Sequence, residues 1–327
     1  MERSLLGSHP QILEEKIMKI FITGATGYVG SAVALKLSSN NHDIIALARS
    51  ESSAAKLEKL GYKVVRGDLT DPSHWIKQAS QADAYIHCAQ LRFGKRVPLS
   101  WVKKAADADK TGFMGLVKAA KLNRNSKIII YTSGISAVGH YGDRWTDENT
   151  IAKESRTVGS YHLETERLIP NLLKEGLPIV VLRLSLPVST SGTFATYFLN
   201  QAAKGKLRYV GDGQNYWPTI HMDDLTNAFV KVIDNPPIGE TLIISDDNPL
   251  RMREFSELLM KQFGHQKVKS APKWIVFLFA GKALGKLLVS SYRVRNHKAK
   301  KLLDWKPAFP TFRESLIQVI KEYNRQI

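Results

Sequence analysis

The stretch Thr23-Gly24-Ala25-Thr26-Gly27-Tyr28-Val29-Gly30 limits what this chain can fold into more than any other. Its glycines fall as G-x-x-G-x-x-G, after a β-branched run and ahead of an amphipathic one. Gly24 permits a sharp turn. Gly27 keeps no side chain between the backbone and a pyrophosphate, and Gly30 lets a helix pack closely on the strand before it. The helix start then offers unpaired N–H groups and the positive end of its dipole to phosphates. A glycine motif alone is a weak signal. A strand in front and a helix behind make this one a strong sign of a dinucleotide-binding βα unit.

The first half repeats that unit. Short apolar runs predict strands at 19–23, 43–48, 63–66, 84–87, 127–131 and 179–183. Amphipathic stretches between them predict helices at 28–39, 51–60, 72–80, 101–121 and 160–175. Gly61 and Gly176 stand just past two of these, where a left-handed residue ends a helix well. Alternation of this kind gives an α/β fold with a doubly wound parallel sheet. After Arg183 helical pieces dominate, at about 193–204, 222–234, 251–263, 272–289 and 310–324, with one short strand at 241–245. The expected organisation is a dinucleotide-binding Rossmann domain over 18–185, whose sheet can continue with later strands, and a smaller, mostly helical substrate lobe over 186–327. Ligands of open α/β sheets bind at the carboxyl edge, so the lobe is expected to close the substrate pocket there. Residues 1–17 read as an extension ahead of Met18, or as a short surface helix; they carry acidic residues and no long apolar stretch, so they are not a signal peptide.

Composition narrows the functional classes. One cysteine, Cys88, excludes a disulfide framework and a cysteine-based zinc site, and it suits a reducing compartment, so a cytoplasmic location is expected. The net charge is +17, and residues 251–327 hold 17 Lys/Arg against 5 Asp/Glu. Such a field attracts phosphates, anionic lipid or nucleic acid. No nucleic-acid-binding motif accompanies it, and no nucleic-acid partner is expected. The apolar run at 274–288 is interrupted by Lys282 and Lys286 and is too short to span a bilayer. It reads first as a buried helix under the lobe, second as a homodimer contact and third as a peripheral membrane contact.

Several motifs resemble the extended and atypical short-chain dehydrogenase/reductases, including the NAD-dependent epimerase/dehydratases. The resemblance covers nearly all of 18–325. Ile22-Thr23-Gly24-Ala25-Thr26-Gly27-Tyr28-Val29-Gly30 is similar to that family's cofactor loop, and Gly67-Asp68-Leu69 to its adenine contact, with Asp68 accepting from the adenine amino group. His87-Cys88-Ala89 stands where the family has a small-residue strand end, and Tyr131-Thr132-Ser133-Gly134 resembles the end of the fifth strand. Gly176-Leu177-Pro178 with Arg183, Ile220-His221-Met222-Asp223-Asp224-Leu225, and the segment from Ala299 to Pro307 resemble later signatures. The resemblance implies cofactor contacts from Gly24, Thr26, Gly27, Tyr28, Val29, Gly30, Asp68, Leu69, His87, Cys88, Ala89, Thr132 and Leu186, and a small-molecule substrate.

Cofactor choice turns on the end of the second strand. NAD-preferring Rossmann folds carry an acid about 20 residues past the glycines. Here Arg49 and Ser50 come first, and a guanidinium with a hydroxyl suits a 2′-phosphate. NADP(H) is therefore expected over NAD(H), with Glu51 as the counter-argument for a ribose diol. The family's acid/base tyrosine needs a lysine four residues later, on the same helical face, to lower a pKa near 10. The segment Val158-Gly159-Ser160-Tyr161-His162-Leu163-Glu164-Thr165-Glu166 does not keep that pair. With Tyr161 as the tyrosine, Thr165 takes the lysine position. With Glu166 as the family's glutamate, the positions fall on Val158 and His162. Ser133, Tyr161 and His162 are the candidate catalytic residues of an NADP(H)-dependent oxidoreductase; histidine titrates in the useful range. A non-catalytic NAD(P)-binding sensor or structural protein, and a sugar epimerase/dehydratase, stay open beside it. His221, Asp223 and Asp224 read as a helix start, with Asp capping free N–H groups, and no metal is expected. Ser185 and Ser189 could line the nicotinamide pocket or simply turn the chain.

Overall fold

The computed structural model describes residues 17–326 apart from Phe93 and Glu154. The expected N-terminal extension therefore lies, but for Ile17, outside the described residues. Seven parallel strands form the central sheet: β1 (Lys19–Thr23), β2 (Asp43–Ala48), β3 (Lys63–Arg66), β4 (Ala84–His87), β5 (Ile128–Gly134), β6 (Ile179–Leu184) and β7 (Thr241–Ile244). Their order is β7-β6-β5-β4-β1-β2-β3. Ile20, Phe21 and Ile22 of β1 are fully buried, as strands covered on both faces must be. The chain reverses its winding between β1 and β4, and that switch point opens the crevice at the carboxyl edge.

Helix α1 (Tyr28–Ser39) follows β1, and α2 (Glu51–Glu58) follows β2. The long α3 (Leu99–Leu122) covers the opposite face. Gly115 on α3 is where Trp75 packs: a Cβ there would meet the indole at 2.5 Å. That buried indole stacks on Phe21 and donates to the Asp68 carbonyl at 2.8 Å. The predicted helix at 160–175 is two short pieces, α4 (His162–Glu166) and a second at Ile169–Lys174, with Pro170 in the second's first turn. A proline there has no N–H to continue the preceding helix, which ends it.

Beyond residue 185 the chain passes through the lobe and then returns to the sheet. Helix α5 (Met222–Asp234) buries Leu225, Ala228, Phe229 and Val232 in the same core as Val33, Ala34 and Leu37 of α1, and β7 extends the sheet beside β6. His221, not an aspartate, caps α5, accepting from the Asp223 N–H at 3.2 Å. Asp224 instead accepts the backbone N–H groups of Ala308 and Phe309 at 2.7 and 2.9 Å, tying down the C-terminal segment. The lobe has its own core, in which Phe194, Phe198, Phe255 and Phe312 meet; it includes α6 (Met252–Lys261) and α8 (Phe312–Gln326).

Helix α7 (Lys273–Val289) departs from its leading sequence reading. It lies on the surface, with only Gly281, Ala283 and Gly285 buried, and it kinks at Gly281. The apolar run lacks a polar face, so periodicity gave no sign of which side would stay uncovered. The loop before it in space is anchored too: Trp145 is stacked by Arg293 and Arg295, and the strand Trp145–Thr146 pairs with Arg293–Val294.

Asp246, just past β7, is 1% exposed and accepts from the Thr219 hydroxyl and the Asn248 N–H. Burial pushes its carboxyl up to about 8. The unfolded value is about 3.9, so between those two values the folded chain holds a proton that the unfolded chain has lost. Stability from this site is therefore present below about pH 4 and falls as pH rises toward 8. Asp246→Asn copies the protonated carboxyl. Its melting temperature is expected to gain several degrees on the wild type between pH 5 and pH 8.5, measured by calorimetry. A difference that stays constant over that range would show that Asp246 does not ionise there.

Candidate cofactor and substrate site

The phosphate loop is held by contacts that admit no side chains. Gly24 has φ +80°, and a Cβ on it would lie 2.6 Å from the Ala89 amide nitrogen. A Cβ on Gly30 would lie 2.2 Å from the Gly24 carbonyl oxygen. The loop is thus pressed between β4's end and α1. Gly27 begins α1 with no side-chain cap, and no acid stands in the first turn. Those uncapped amides suit a diphosphate.

A groove of about 560 Å³ opens above them. Gly24, Thr26, Gly27, Tyr28, Val29, Cys88, Thr132 and Leu186 line it, as does Ser185, one of the two serines weighed for the nicotinamide pocket; Gln90, Leu91, Arg92, Leu184, Pro187, Thr193 and Tyr197 also line it, and sequence patterns did not single them out. Gly30, Ala89, His87 and Leu69 stand behind this surface. Gly30 and Ala89 back the loop, while Leu69 and His87 pack against Gly112 of α3. Cys88 is no reactive thiol: burial pushes it up to about 12, and it pairs with the Thr132 hydroxyl at 3.3 Å. Tyr28 donates to the Pro187 carbonyl at 3.0 Å and lies 2.9 Å from the Ser189 hydroxyl, so one side chain bridges the phosphate loop and the lobe.

Past the ends of β2 and β3, and not among the residues lining the groove, Arg49 is exposed and lies 3.7 Å from Asp68. Ser50 caps α2, accepting from the Ser53 N–H at 3.2 Å. Glu51 is drawn to Arg66 at 3.3 Å. Asp68 accepts the Thr70 N–H and hydroxyl at 2.8 and 2.7 Å, which hold its carboxyl below the usual range.

The three candidate catalytic side chains lie under the groove rather than along it. Ser133 donates to Glu166 at 2.5 Å, and Arg183 grips the same carboxylate at 2.6 and 3.2 Å. Tyr161 is 3% exposed, packs on Trp101 and His162, and its hydroxyl has no hydrogen-bond partner among the described residues; burial holds its pKa well above 10. His162 belongs to a buried polar chain. Asp109 accepts the Tyr131 hydroxyl and the Thr165 hydroxyl, each at 2.6 Å. Tyr131 has then given its only proton, so the 2.8 Å contact from His162 Nδ1 is an N–H donated to the tyrosine oxygen. Burial lowers the His162 pKa, which keeps the ring neutral. His87 completes the chain, 3.3 Å from Asp109 without hydrogen-bond alignment and 2.9 Å from the Thr23 hydroxyl.

Leu184, Ser185 and Leu186 are shared with a smaller inner cavity of about 160 Å³. Ile135, Pro218 and Leu287 give it apolar walls, with Ser136, Trp217 and Tyr292 beside them. The Ser185 hydroxyl, the Trp217 indole nitrogen and the Tyr292 hydroxyl, on residues around this cavity, are buried without a hydrogen-bond partner among the described residues. Tyr292 lies near Ser290 and Thr157, and burial pushes its pKa up to about 12. Unpartnered buried polar groups are costly in a native fold unless something else meets them. Ser189, the other serine singled out beyond the sixth strand, bonds to Tyr28 instead. Among the described residues no three His, Cys, Asp or Glu side chains stand together as a metal site.

Comparison with known proteins places this geometry. The sequence model of the NAD dependent epimerase/dehydratase family matches residues 20–244. The chain belongs to that family. It is 29% identical over 228 residues to the uncharacterized protein YLL056C of Saccharomyces cerevisiae, covering 68% of this chain and 73% of the other. It is 26% identical over 328 residues to a 2-alkyl-3-oxoalkanoate reductase of Shewanella oneidensis, covering 89% and 77%. The human epimerase family protein SDR39U1, solved with NADPH, superposes with a TM-score of 0.78 at 16% identity, covering 93% of this chain and 99% of that one. The fold is therefore that of the extended short-chain dehydrogenase/reductases, a nicotinamide-dinucleotide-binding fold.

Asp109 is the keystone of the polar chain beneath the site. Asp109→Ala would orphan the Tyr131 and Thr165 hydroxyls and is expected to cost about 3–5 kcal/mol of stability in urea unfolding. A loss under about 1 kcal/mol would mean that water or rearrangement replaces the carboxylate.

Proposed function

We propose that this chain is an NADP(H)-dependent oxidoreductase that reduces the carbonyl of a small, apolar organic substrate. The observation that carries the reading is the inner cavity: apolar walls, no charged lining residue, and three unpartnered polar groups at the inner end of the dinucleotide groove. A nucleotide sugar would call for polar and basic walls. The name of the Shewanella relative describes a ketone reductase, which agrees with that chemistry.

The uncapped start of α1 holds the diphosphate. Arg49 and Ser50 receive the 2′-phosphate, and Glu51 is diverted by Arg66 from the ribose. Asp68 faces the adenine. Bound nicotinamide supplies the hydride. The protein's own task is to hold the carbonyl oxygen and deliver a proton. Donors must stand within about 3 Å of that oxygen in the reacting complex. Trp217 can only donate, and Ser185 and Tyr292 can donate or accept. With its pKa pushed up to about 12 by burial, Tyr292 keeps its proton at neutral pH and serves the carbonyl oxygen as a hydrogen-bond donor. Tyr161, His162 and Ser133 then act from beneath, fixing β5 and α4. A non-catalytic cofactor sensor is the second reading, favoured by the missing tyrosine–lysine pair.

Two measurements test this. Arg49→Ala is expected to raise the Kd for NADPH roughly 10- to 100-fold while leaving NADH within about threefold; equal effects on both cofactors would defeat the NADP(H) assignment. With NADPH and apolar ketones, Tyr292→Phe is expected to lower kcat by about 10²-fold or more, and Tyr161→Phe by less than about tenfold. The reverse ranking would return the proton to Tyr161. No NADPH consumption with any ketone would favour the sensor.

A further inference from the structure

Helix α7 leaves part of its apolar surface uncovered. Trp274, Leu278 and Phe279 are 69, 56 and 71% exposed. Their spacing puts them along one side of the helix's first two turns. Scattered exposed apolar residues are ordinary, but three large ones together mark a contact surface.

The surrounding charge identifies the contact. From 258 to 303 the sequence has 11 Lys and Arg and no Asp or Glu; from 84 to 106 it has 5 and again no acid. The fold joins these two acid-free segments at the kink of α7. The Val97 N–H donates to the Ala280 carbonyl at 2.8 Å, and the Ala283 N–H to the Val97 carbonyl at 3.1 Å. Gly281, at φ +78°, lies so close to Val97 that a Cβ would sit 2.7 Å from its carbonyl oxygen. Arg96 and Lys282 flank one cavity at that joint. Lys273 opens the helix, and the short strand ahead of it sets Lys269 beside Arg208. None of these five cations pairs with a carboxylate among the described residues.

We propose that this face docks on an anionic lipid surface. Trp274, Leu278 and Phe279 enter the boundary between headgroups and acyl chains, and the surrounding lysines and arginines meet the lipid phosphates. No helix among the described residues is long and apolar enough to cross a membrane, so the contact is peripheral. A second copy of the chain fits the same face poorly. A two-fold contact sets a patch against itself, and here that brings cation against cation. The proposal is independent of the reaction assigned to the groove.

The full chain is mixed with phosphatidylcholine vesicles, and with vesicles containing about one-third phosphatidylserine, at roughly 50 and 500 mM salt. It is expected to pellet only with the anionic vesicles at low salt. Trp274→Ser with Phe279→Ser is expected to weaken partitioning tenfold or more. Lys269→Glu with Lys273→Glu is expected to weaken it by roughly fivefold or more per lysine. All four positions are on the surface, and unchanged melting with NADPH bound confirms that the variants fold. Quenching of wild-type tryptophan fluorescence by brominated anionic lipid is expected as well, and needs no variant. Absence of pelleting at low salt, equal pelleting with neutral vesicles, or full binding by either folded variant would overturn the proposal. So would a dimer in analytical ultracentrifugation that Trp274→Ser with Phe279→Ser dissociates.

Discussion

The structure depends on how closely three backbone segments approach at the head of α1. Gly24, Gly30 and the Cys88–Ala89 peptide pack with no room for a methyl group between them. That crowding fixes the first helix on the carboxyl edge of the sheet and turns its uncapped amides toward the groove. Any side chain there would have to push α1 off β1 or β4, and the phosphate site would go with it. Everything downstream, from Asp68 beyond β3 to the inner cavity at Tyr292, is laid out from this point.

Beneath the groove the protein spends polarity in an unusual way. The chain from Thr23 through His87, Asp109 and Tyr131 to His162 crosses from β1 to α4 inside the core. Low local dielectric strengthens such bonds and penalises any that are left unmade, so the network specifies one arrangement of strand and helix ends. Its last member, His162, lies in the segment where the sequence resemblance implies a tyrosine–lysine pair. A lysine needs solvent or substrate to meet its charge. A neutral histidine donating to a tyrosine does not, and the helix can close down on the sheet.

Much of this was legible in the chain. Gly24, Gly27 and Gly30 announced the loop, and β-branched runs placed β1 to β4 to the residue, because both signals are local. Arg49 and Ser50 stood at a strand end that the pattern already located. What stayed hidden was set by tertiary partners. Nothing near His162 says that its proton goes to Tyr131, 31 residues earlier. Trp217 and Tyr292 come from short segments with no periodicity, and only the fold brings them to one cavity. The exposure of α7 was misread for a related reason: a mostly apolar helix without a polar face carries no mark of which side its neighbours will cover. Helix α5 and β7 lie beyond residue 185 yet complete the sheet's layers, since chain order and spatial neighbourhood part company after β6.

Tyr28 has a consequence of its own. Its ring belongs to α1, and its hydroxyl is fastened to Pro187 and Ser189 on the other side of the crevice. Order at the head of α1 and order in the segment after β6 are therefore tied together. Thermodynamic linkage makes such influence mutual: whatever steadies one bank of the crevice steadies the other by the same factor. A single phenol thus lets the two banks answer to each other across the opening.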